Sequence, residues 1–233
     1  IRLSLVGSEM CIRDRNQALH KANLKKQEIQ LGCFCLAGAD LPEDYELLEK
    51  AVRDVAAPME VTVKNDSIAA LRAGLHGSEF GVTVVVGTGF NAAGWGKEGQ
   101  EIVLPGLGFI SGDYGGGRWL SRQIIRAVMR AWDGRGKETT LRECVFEVMD
   151  VQDELELIRK LRLKTYRDQL LDLVPALFEA AYLGDDVAQS LLICLGREVG
   201  QTANTLIRRL SLQNEEVPVV LSTSVFRGKG PLF

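Results

Sequence analysis

One stretch of sequence decides the fold, Glu60–Asn91, which reads EVTVKNDSIAALRAGLHGSEFGVTVVVGTGFN. Glu60–Lys64 alternates in the manner of a β-strand, and Ser67–Leu75 then carries apolar residues at helical spacing. Val82–Val86 is a run of β-branched residues, which is typical of a buried strand, and glycines follow it. The stretch therefore predicts a strand, a helix and a second strand, with polar residues after each strand.

The residues before this stretch repeat the same pattern. Ile29–Ala37 is rich in β-formers and predicts a strand that ends at Gly38. Pro42 then opens a helix with acidic residues in its first turn, and Pro58 ends that helix. The resulting order of strand, helix, strand and helix predicts an α/β protein with a parallel sheet covered on two faces.

The residues after Val82–Val86 do not continue the alternation of strands and helices. Asn91–Trp95 and Glu101–Leu104 predict two short strands that form an antiparallel meander with it. Gly106–Gly117 is a glycine-dense loop, and the chain then becomes helical. The predicted later elements are helices over Arg118–Trp132, Thr139–Met149, Asp153–Lys160, Arg167–Leu183 and Asp186–Leu210, and a strand over Val217–Leu221.

Composition excludes several classes of protein. Of the 233 residues, 46% are hydrophobic and 25% charged, which is the balance of a globular protein and not of a disordered chain. The formal net charge of −3 argues against a nucleic-acid partner. Apolar runs are far shorter than the roughly 20 residues that span a bilayer, which argues against a membrane protein.

The cysteines point to a reducing compartment, and we expect a cytoplasmic protein. The chain has five cysteines, an odd number, and no two of them are in CxxC spacing. Both facts disfavour zinc ribbons, iron–sulfur sites and a disulfide framework. We expect Cys33 and Cys35 to point to opposite faces of their strand.

The chain divides into three predicted segments. We expect residues 1–15 to be a non-native segment, because they have no clear period and resemble translated adapter sequence; the alternative is a short native strand over Leu3–Val6. Residues 16–77 are expected to form a partial N-terminal lobe. Residues 78–233 are expected to form a C-terminal lobe that ends prematurely.

Polar residues that follow the predicted strands are the first candidates for chemistry. Asn65 and Asp66 lie at the carboxyl end of a strand, where open α/β sheets bind ligands. A carboxylate there can accept the proton of a substrate hydroxyl. The alternative is helix capping, for which Asp is a favoured residue, and the two roles compete.

Two glycine-rich segments are the other candidates. Gly87-Thr88-Gly89, followed by Asn91, is either a hairpin turn or a cradle whose amides and hydroxyl bind phosphate. Gly112-Asp113 begins a glycine loop that leads into a helix. That loop is either a flexible connector or a ligand site in which Asp113 binds a polyol.

The order of these features resembles the N-acetylglucosamine kinase family, grouped with the BadF/BadG/BcrA/BcrD-type ATPases of the actin-like ATPase superfamily. The resemblance covers Leu31–Phe233. The residues that carry it are Val63-Lys64-Asn65-Asp66 with Ala69-Ala70-Leu71, Val86-Gly87-Thr88-Gly89 with Asn91, Gly112-Asp113, and Ser224-Val225-Phe226-Arg227-Gly228.

The resemblance implies a ribonuclease-H-like actin ATPase fold with a truncated N-terminal lobe and a mostly complete C-terminal lobe. It implies an ATP-dependent kinase acting on N-acetylglucosamine or glucosamine, with ATP and Mg²⁺ as cofactors and a homodimer as the assembly to test. The implied roles are catalytic base for Asp66, substrate binding for Asn65, Asn91 and Asp113, and nucleotide binding for Gly87, Thr88, Gly89 and Ser224.

The sequence also departs from the family pattern. Tyr114 replaces the usual acidic residue, Thr223-Ser224 replaces a glycine pair, and an Asp-Gly-Gly phosphate loop is missing upstream of Asn16. We therefore expect a fragment of a longer gene that does not phosphorylate sugar by itself. The alternatives are an ATPase activator of an acyl-CoA dehydratase or reductase, and a non-catalytic sugar-binding regulator.

Overall fold

A computed structural model describes residues 5–57, 59–106, 108–163 and 169–222 of the chain. The α-helices are α1 (Leu5–Ala22), α2 (Pro42–Ala56), α3 (Asp66–Gly74), α4 (Gly117–Trp132), α5 (Leu141–Met149), α6 (Glu154–Leu163), α7 (Leu173–Tyr182) and α8 (Asp186–Arg209). The strands are β1 (Leu31–Leu36), β2 (Glu60–Asn65), β3 (Gly81–Val86), β4 (Phe90–Trp95), β5 (Glu101–Leu104) and β6 (Val219–Ser222).

The strands form two sheets. In the first, β1 and β2 run parallel, with Leu31 opposite Glu60 and Leu36 opposite Asn65. Helix α2 provides the crossover between them, as parallel pairing requires. The second sheet has the order β5-β4-β3-β6, in which β6 runs parallel to β3 and the other pairs are antiparallel. The predicted strand–helix–strand order and the antiparallel meander are both confirmed.

Each sheet has its own hydrophobic core. Val61 and Val63 alternate with exposed residues on β2 and pack with Val52 and Ala56 of α2. In the second sheet, Val82, Val84 and Val86 are fully buried beneath helices α4 to α8. The larger core contains most of the helical block, so helix packing and the second sheet stabilise each other.

Helix α3 joins the two sheets. Ile68 and Leu71 are buried on it, and it packs against β1 and β2 on one side and β3, β4 and β6 on the other. Lys64 of β2 also forms an ion pair with Glu101 of β5 at 2.6 Å. The first sheet is therefore held against the second, while the lobe boundary at residues 77 and 78 stays a prediction.

Helix α7 starts later than the sequence predicts. A helix is expected over Arg167–Leu183, but a 3-10 turn over Leu170–Asp172 precedes α7, which begins at Leu173. Pro175 lies in the first turn of α7, where its missing N–H is tolerated because the first amides of a helix have no intrahelical partner. Residues 164–168 lie outside the described residues.

The expectation for Cys33 and Cys35 is wrong. Residues two apart on a strand point to the same face, so both thiols lie on one side of β1. Burial, followed by the neighbouring Cys33, raises the pKa of the Cys35 thiol to about 11. A raised pKa reduces thiolate reactivity at neutral pH.

The N-terminal residues include part of a helix. Helix α1 spans Leu5–Ala22 and so crosses the expected boundary at Arg15. Leu5 and Val6 are helical, whereas the alternative prediction placed them in a short strand. Among the residues of α1 whose side chains the structure describes, Arg13 and Arg15–Ala22, none belongs to either hydrophobic core. Within the described ranges of the whole chain, no helix is long and apolar enough to cross a membrane.

Deletion of residues 1–15 is expected to leave thermal stability nearly unchanged, because the apolar residues of this segment follow no clear period in the sequence. We expect a shift in Tm of less than about 2 °C, because 1 kcal/mol corresponds to about 2–4 °C in a protein of this size. Differential scanning calorimetry of the two forms measures the shift, and a fall of several degrees on deletion would show that the segment is native structure.

Candidate active site

Asn65 organises the end of strand β2. It is fully buried, and its side-chain oxygen accepts hydrogen bonds from the amide of Ser67, at 3.0 Å, and from the Ser67 hydroxyl. Its Nδ2 donates to the carbonyl of Ala39 at 3.1 Å and to Asp40 Oδ1 at 3.0 Å. The hydrogen bond that the Ser67 backbone amide donates to its side chain makes Asn65 the N-cap of α3.

Asp66 is thereby released from capping. It is the first residue of α3, it is exposed, and its side chain has no hydrogen bond or ion pair with any described residue. A negative charge in the first turn of a helix is also favoured by the helix dipole. Asn65 therefore performs the capping, and the Asp66 carboxylate is not used for it.

Asn91 connects this strand end to the second sheet. It is half-buried on β4, and its Nδ2 donates to Asn65 Oδ1 at 3.3 Å. Its own Oδ1 accepts from the amide of Ala92 at 2.8 Å, which fixes the orientation of the amide group. The two asparagines thus link the carboxyl end of β2 with the start of β4.

The turn Gly87-Thr88-Gly89 lies against the N-terminus of α4. Gly117 N donates to the Gly87 carbonyl at 2.8 Å, and Arg118 N donates to the Thr88 carbonyl at 3.0 Å. These two helix amides are therefore satisfied within the protein. The exposed backbone amides of Thr88 and Gly89, in contrast, have no acceptor among the described residues.

Gly116 permits the close approach of this turn to α4. Its φ is +85°, and an added Cβ would lie 2.4 Å from the carbonyl oxygen of Gly89. Gly116→Ala is expected to lower the free energy of unfolding by about 2–3 kcal/mol, since a side chain is strained in this backbone region and meets main-chain atoms.

Urea denaturation of this variant can be compared with that of Gly200→Ala. Gly200 lies on an exposed face of α8 with open space around its Cα, so alanine there is expected to be neutral or slightly stabilising. Equal stabilities for the two variants would contradict the tight contact at Gly116.

Asp113 closes the loop that precedes α4. Its Oδ2 accepts a hydrogen bond from the amide of Gly108 at 2.7 Å. Burial raises the pKa of the Asp113 carboxyl, while hydrogen bonds from Gly108 and Ser111 act in the opposite direction. The half-buried carboxylate therefore has a fixed position at one wall of a cavity.

That cavity has a volume of about 220 Å³. Asn91 and Asp113, both predicted to bind substrate, line it, together with Glu198 and Thr202 of α8. The apolar part of the wall includes Phe90, Ala92, Leu104 and Pro105. A polar rim on an apolar base is the usual composition of a small-molecule site.

Several carboxylates act on this region together. The pKa of Asp40 is raised by its burial and by the charges of Asp44, Asp66 and Asp113, against the Asn65 hydrogen bond. Asp66 begins α3 and Asp113 lies in the loop before α4, so charges from two separate segments act on Asp40.

The predicted site residues have different placements. Asn91 and Asp113 share the cavity, and Asp66 lies outside its lining but is connected to it through Asn65 and Asn91. Asn65 is fully buried and has no surface for a sugar to contact. Ser224 lies outside the described residues.

The sequence analysis did not single out Glu198, because it predicted only a helix over Asp186–Leu210 and no site on it. The signal that could have found it is the pair Glu198 and Thr202, one turn apart on the helix, which interrupts an otherwise apolar face.

Residues 13–232 match the pattern of the BadF/BadG/BcrA/BcrD ATPase family. The chain belongs to this family. N-acetyl-D-glucosamine kinase from Dictyostelium discoideum is 32% identical over 212 residues, covering 88% of this chain and 66% of the relative. N-acetylmuramic acid/N-acetylglucosamine kinase from Clostridium acetobutylicum is 29% identical over 209 residues, covering 89% of this chain and 67% of the relative. The chain thus spans about two thirds of the length of these relatives.

Solved structures show the fold of the family. A candidate N-acetylglucosamine kinase from Chromobacterium violaceum superposes with a TM-score of 0.62 at 22% identity, covering 90% of this chain and 70% of that one. A second candidate N-acetylglucosamine kinase, from Porphyromonas gingivalis, also superposes with a TM-score of 0.62, at 21% identity, covering 94% of this chain and 73% of that one. The predicted fold class, the actin-like ATPase fold, is confirmed.

Proposed function

We propose that the intact enzyme transfers the γ-phosphoryl group of ATP to a hydroxyl of an amino sugar, N-acetylglucosamine or glucosamine. The observation that carries this proposal is the division of roles at the end of β2, where Asn65 caps α3 and leaves the Asp66 carboxylate free. The kinase names of the two relatives support the same reaction and sugar class.

The sugar is assigned to the cavity between Asn91 and Asp113. Asn91 is held by Asn65 and Ala92, and Asp113 by Gly108, so both present fixed polar groups to the sugar hydroxyls. Binding in one orientation brings the acceptor hydroxyl towards Asp66. Positioning of this kind supplies a large part of the rate acceleration in phosphoryl transfer.

Asp66 is assigned as the general base. It takes the proton from the acceptor hydroxyl as the sugar oxygen attacks the γ-phosphorus in line. The new oxygen–phosphorus bond forms while the bond between the γ-phosphorus and the bridging oxygen breaks, and ADP leaves. The phosphoryl group therefore moves to the sugar with no covalent enzyme intermediate.

The nucleotide phosphates are assigned to the turn Gly87-Thr88-Gly89. Its two exposed amides and the Thr88 hydroxyl are donors suited to phosphate oxygens. Mg²⁺ would neutralise phosphate charge, which the nearby carboxylates would otherwise repel. Within the part of the chain that the structure describes, no cluster of three or more His, Cys, Asp or Glu side chains could hold a metal ion. Ser224 is retained as a proposed nucleotide contact.

The proposal is tested by coupled measurement of ADP release from the longest form of the protein that its gene encodes. Release is expected to depend on N-acetylglucosamine or glucosamine and to be slower with glucose. ADP release that is the same with and without sugar would contradict the kinase proposal. It would favour the ATPase activator, which an iron and sulfide assay under anaerobic conditions would then test.

A further inference from the structure

Glu198 is the second carboxylate that lines the cavity, after Asp113. It lies on α8, is half-buried, and lines the same cavity as Asp113. No described residue forms an ion pair or hydrogen bond with its side chain, and the residues that line the cavity include no Lys, Arg or His. Among the residues that the structure describes, the pocket therefore has two carboxylates and no compensating cation.

The charge of Asp113 acts on the Glu198 carboxyl. Burial raises the pKa of the Glu198 carboxyl, and the negative charge of Asp113 raises it further. Ionised carboxylates only accept hydrogen bonds, so a ligand that donates several is favoured between them. A ligand that brings its own carboxylate would add a third negative charge to a partly desolvated space.

The names of the two relatives point to two sugars, one neutral and one with a carboxylate, that a pocket with two carboxylates would distinguish. One is named for N-acetylglucosamine and the other for both N-acetylmuramic acid and N-acetylglucosamine. N-acetylmuramic acid is N-acetylglucosamine with a lactyl ether on its 3-hydroxyl. The ether replaces a hydrogen-bond donor with a group that ends in a carboxylate.

We propose that Glu198 is a specificity-determining residue, which accepts a hydrogen bond from a sugar hydroxyl and excludes sugars that carry a carboxylate. The pocket then takes neutral amino sugars and rejects N-acetylmuramic acid. This inference rests on the proposed function, since it assumes that the cavity binds the sugar.

Isothermal titration calorimetry of the full chain with N-acetylglucosamine and N-acetylmuramic acid tests the inference. The wild-type chain is expected to bind N-acetylmuramic acid at least about tenfold more weakly than N-acetylglucosamine. Glu198→Gln keeps the size of the side chain and removes its charge. It is expected to reduce the difference by about tenfold, chiefly by binding N-acetylmuramic acid more tightly. Glu198→Ala provides a second variant with the same expected direction.

Glu147→Gln is the matched control, because it removes the same charge from an exposed position on α5 outside the cavity. It is expected to leave the ratio of the two affinities unchanged. Equal affinities of the wild-type chain for the two sugars, or an unchanged ratio in both Glu198 variants, would overturn the inference and leave the proposed function standing. Binding of neither sugar would overturn the assignment of the cavity and the inference with it.

Discussion

Replacement of Asp66 by asparagine is expected to lower the rate of sugar-dependent ADP release by about 10²- to 10⁴-fold. The amide has nearly the same size but cannot accept the proton of the attacking hydroxyl. Asp66 is exposed and makes no hydrogen bond with the described residues, so stability and sugar affinity are expected to change little. The measurements are kcat from ADP release and Kd for the sugar from calorimetry, on the longest form of the protein.

Asp54→Asn is the control for this experiment. Asp54 is an exposed carboxylate on α2, and its replacement removes the same charge without touching the end of β2. It is expected to leave turnover within about twofold of wild type. An Asp66→Asn protein that keeps turnover within tenfold of wild type would remove Asp66 from the role of base.

Asn65→Asp is expected to lower the free energy of unfolding at neutral pH by about 3–5 kcal/mol, the cost of an uncompensated buried charge. The new carboxylate could still accept from Ser67, but it could not donate to Ala39 or Asp40. Two acceptors would then face it in a site from which water is excluded. Chemical denaturation followed by circular dichroism measures the loss.

The pH dependence of this loss follows from burial of the new carboxyl. Burial beside Asp40 would raise its pKa in the folded protein above the unfolded value of about 3.9. The destabilisation is then complete above the folded pKa, shrinks as the pH falls through it, and disappears below the unfolded value. Asn204→Asp, at an exposed position on α8, is the control and is expected to change stability by less than about 0.5 kcal/mol. A pH-independent loss would mean that the charge is not its cause.

Much of the fold was predictable because the spacing of apolar residues within each short segment indicates which of them are buried. Val61, Val63 and the valines of β3 alternate or cluster as buried strands require, and the structure has strands at those positions. The start of α7 was not predictable in this way. A 3-10 turn and an α-helix share similar apolar spacing over a few residues, so the pattern before Pro175 did not distinguish them.

The site was predictable only in part. Asp113 stood out because it lies in a glycine-rich loop that leads into a helix, which is a common place for a ligand site. The division of roles between Asn65 and Asp66 could not be predicted, since both residue types are favoured N-caps and the backbone decides which one acts. Glu198 comes from a helix that is distant in sequence, and only the packing of α8 against β3 and β4 brings it to the cavity.

The central claim is that polar groups from the ends of separate strands and from the glycine loop form one sugar site. A crystal structure of the protein bound to N-acetylglucosamine tests it most directly. We expect the sugar in the cavity, with hydroxyls bonded to Asn91 and Asp113, and one further hydroxyl within about 3.2 Å of an Asp66 oxygen or one water away from it. A sugar bound elsewhere, or bound in the cavity with every hydroxyl beyond the reach of Asp66, would contradict the account.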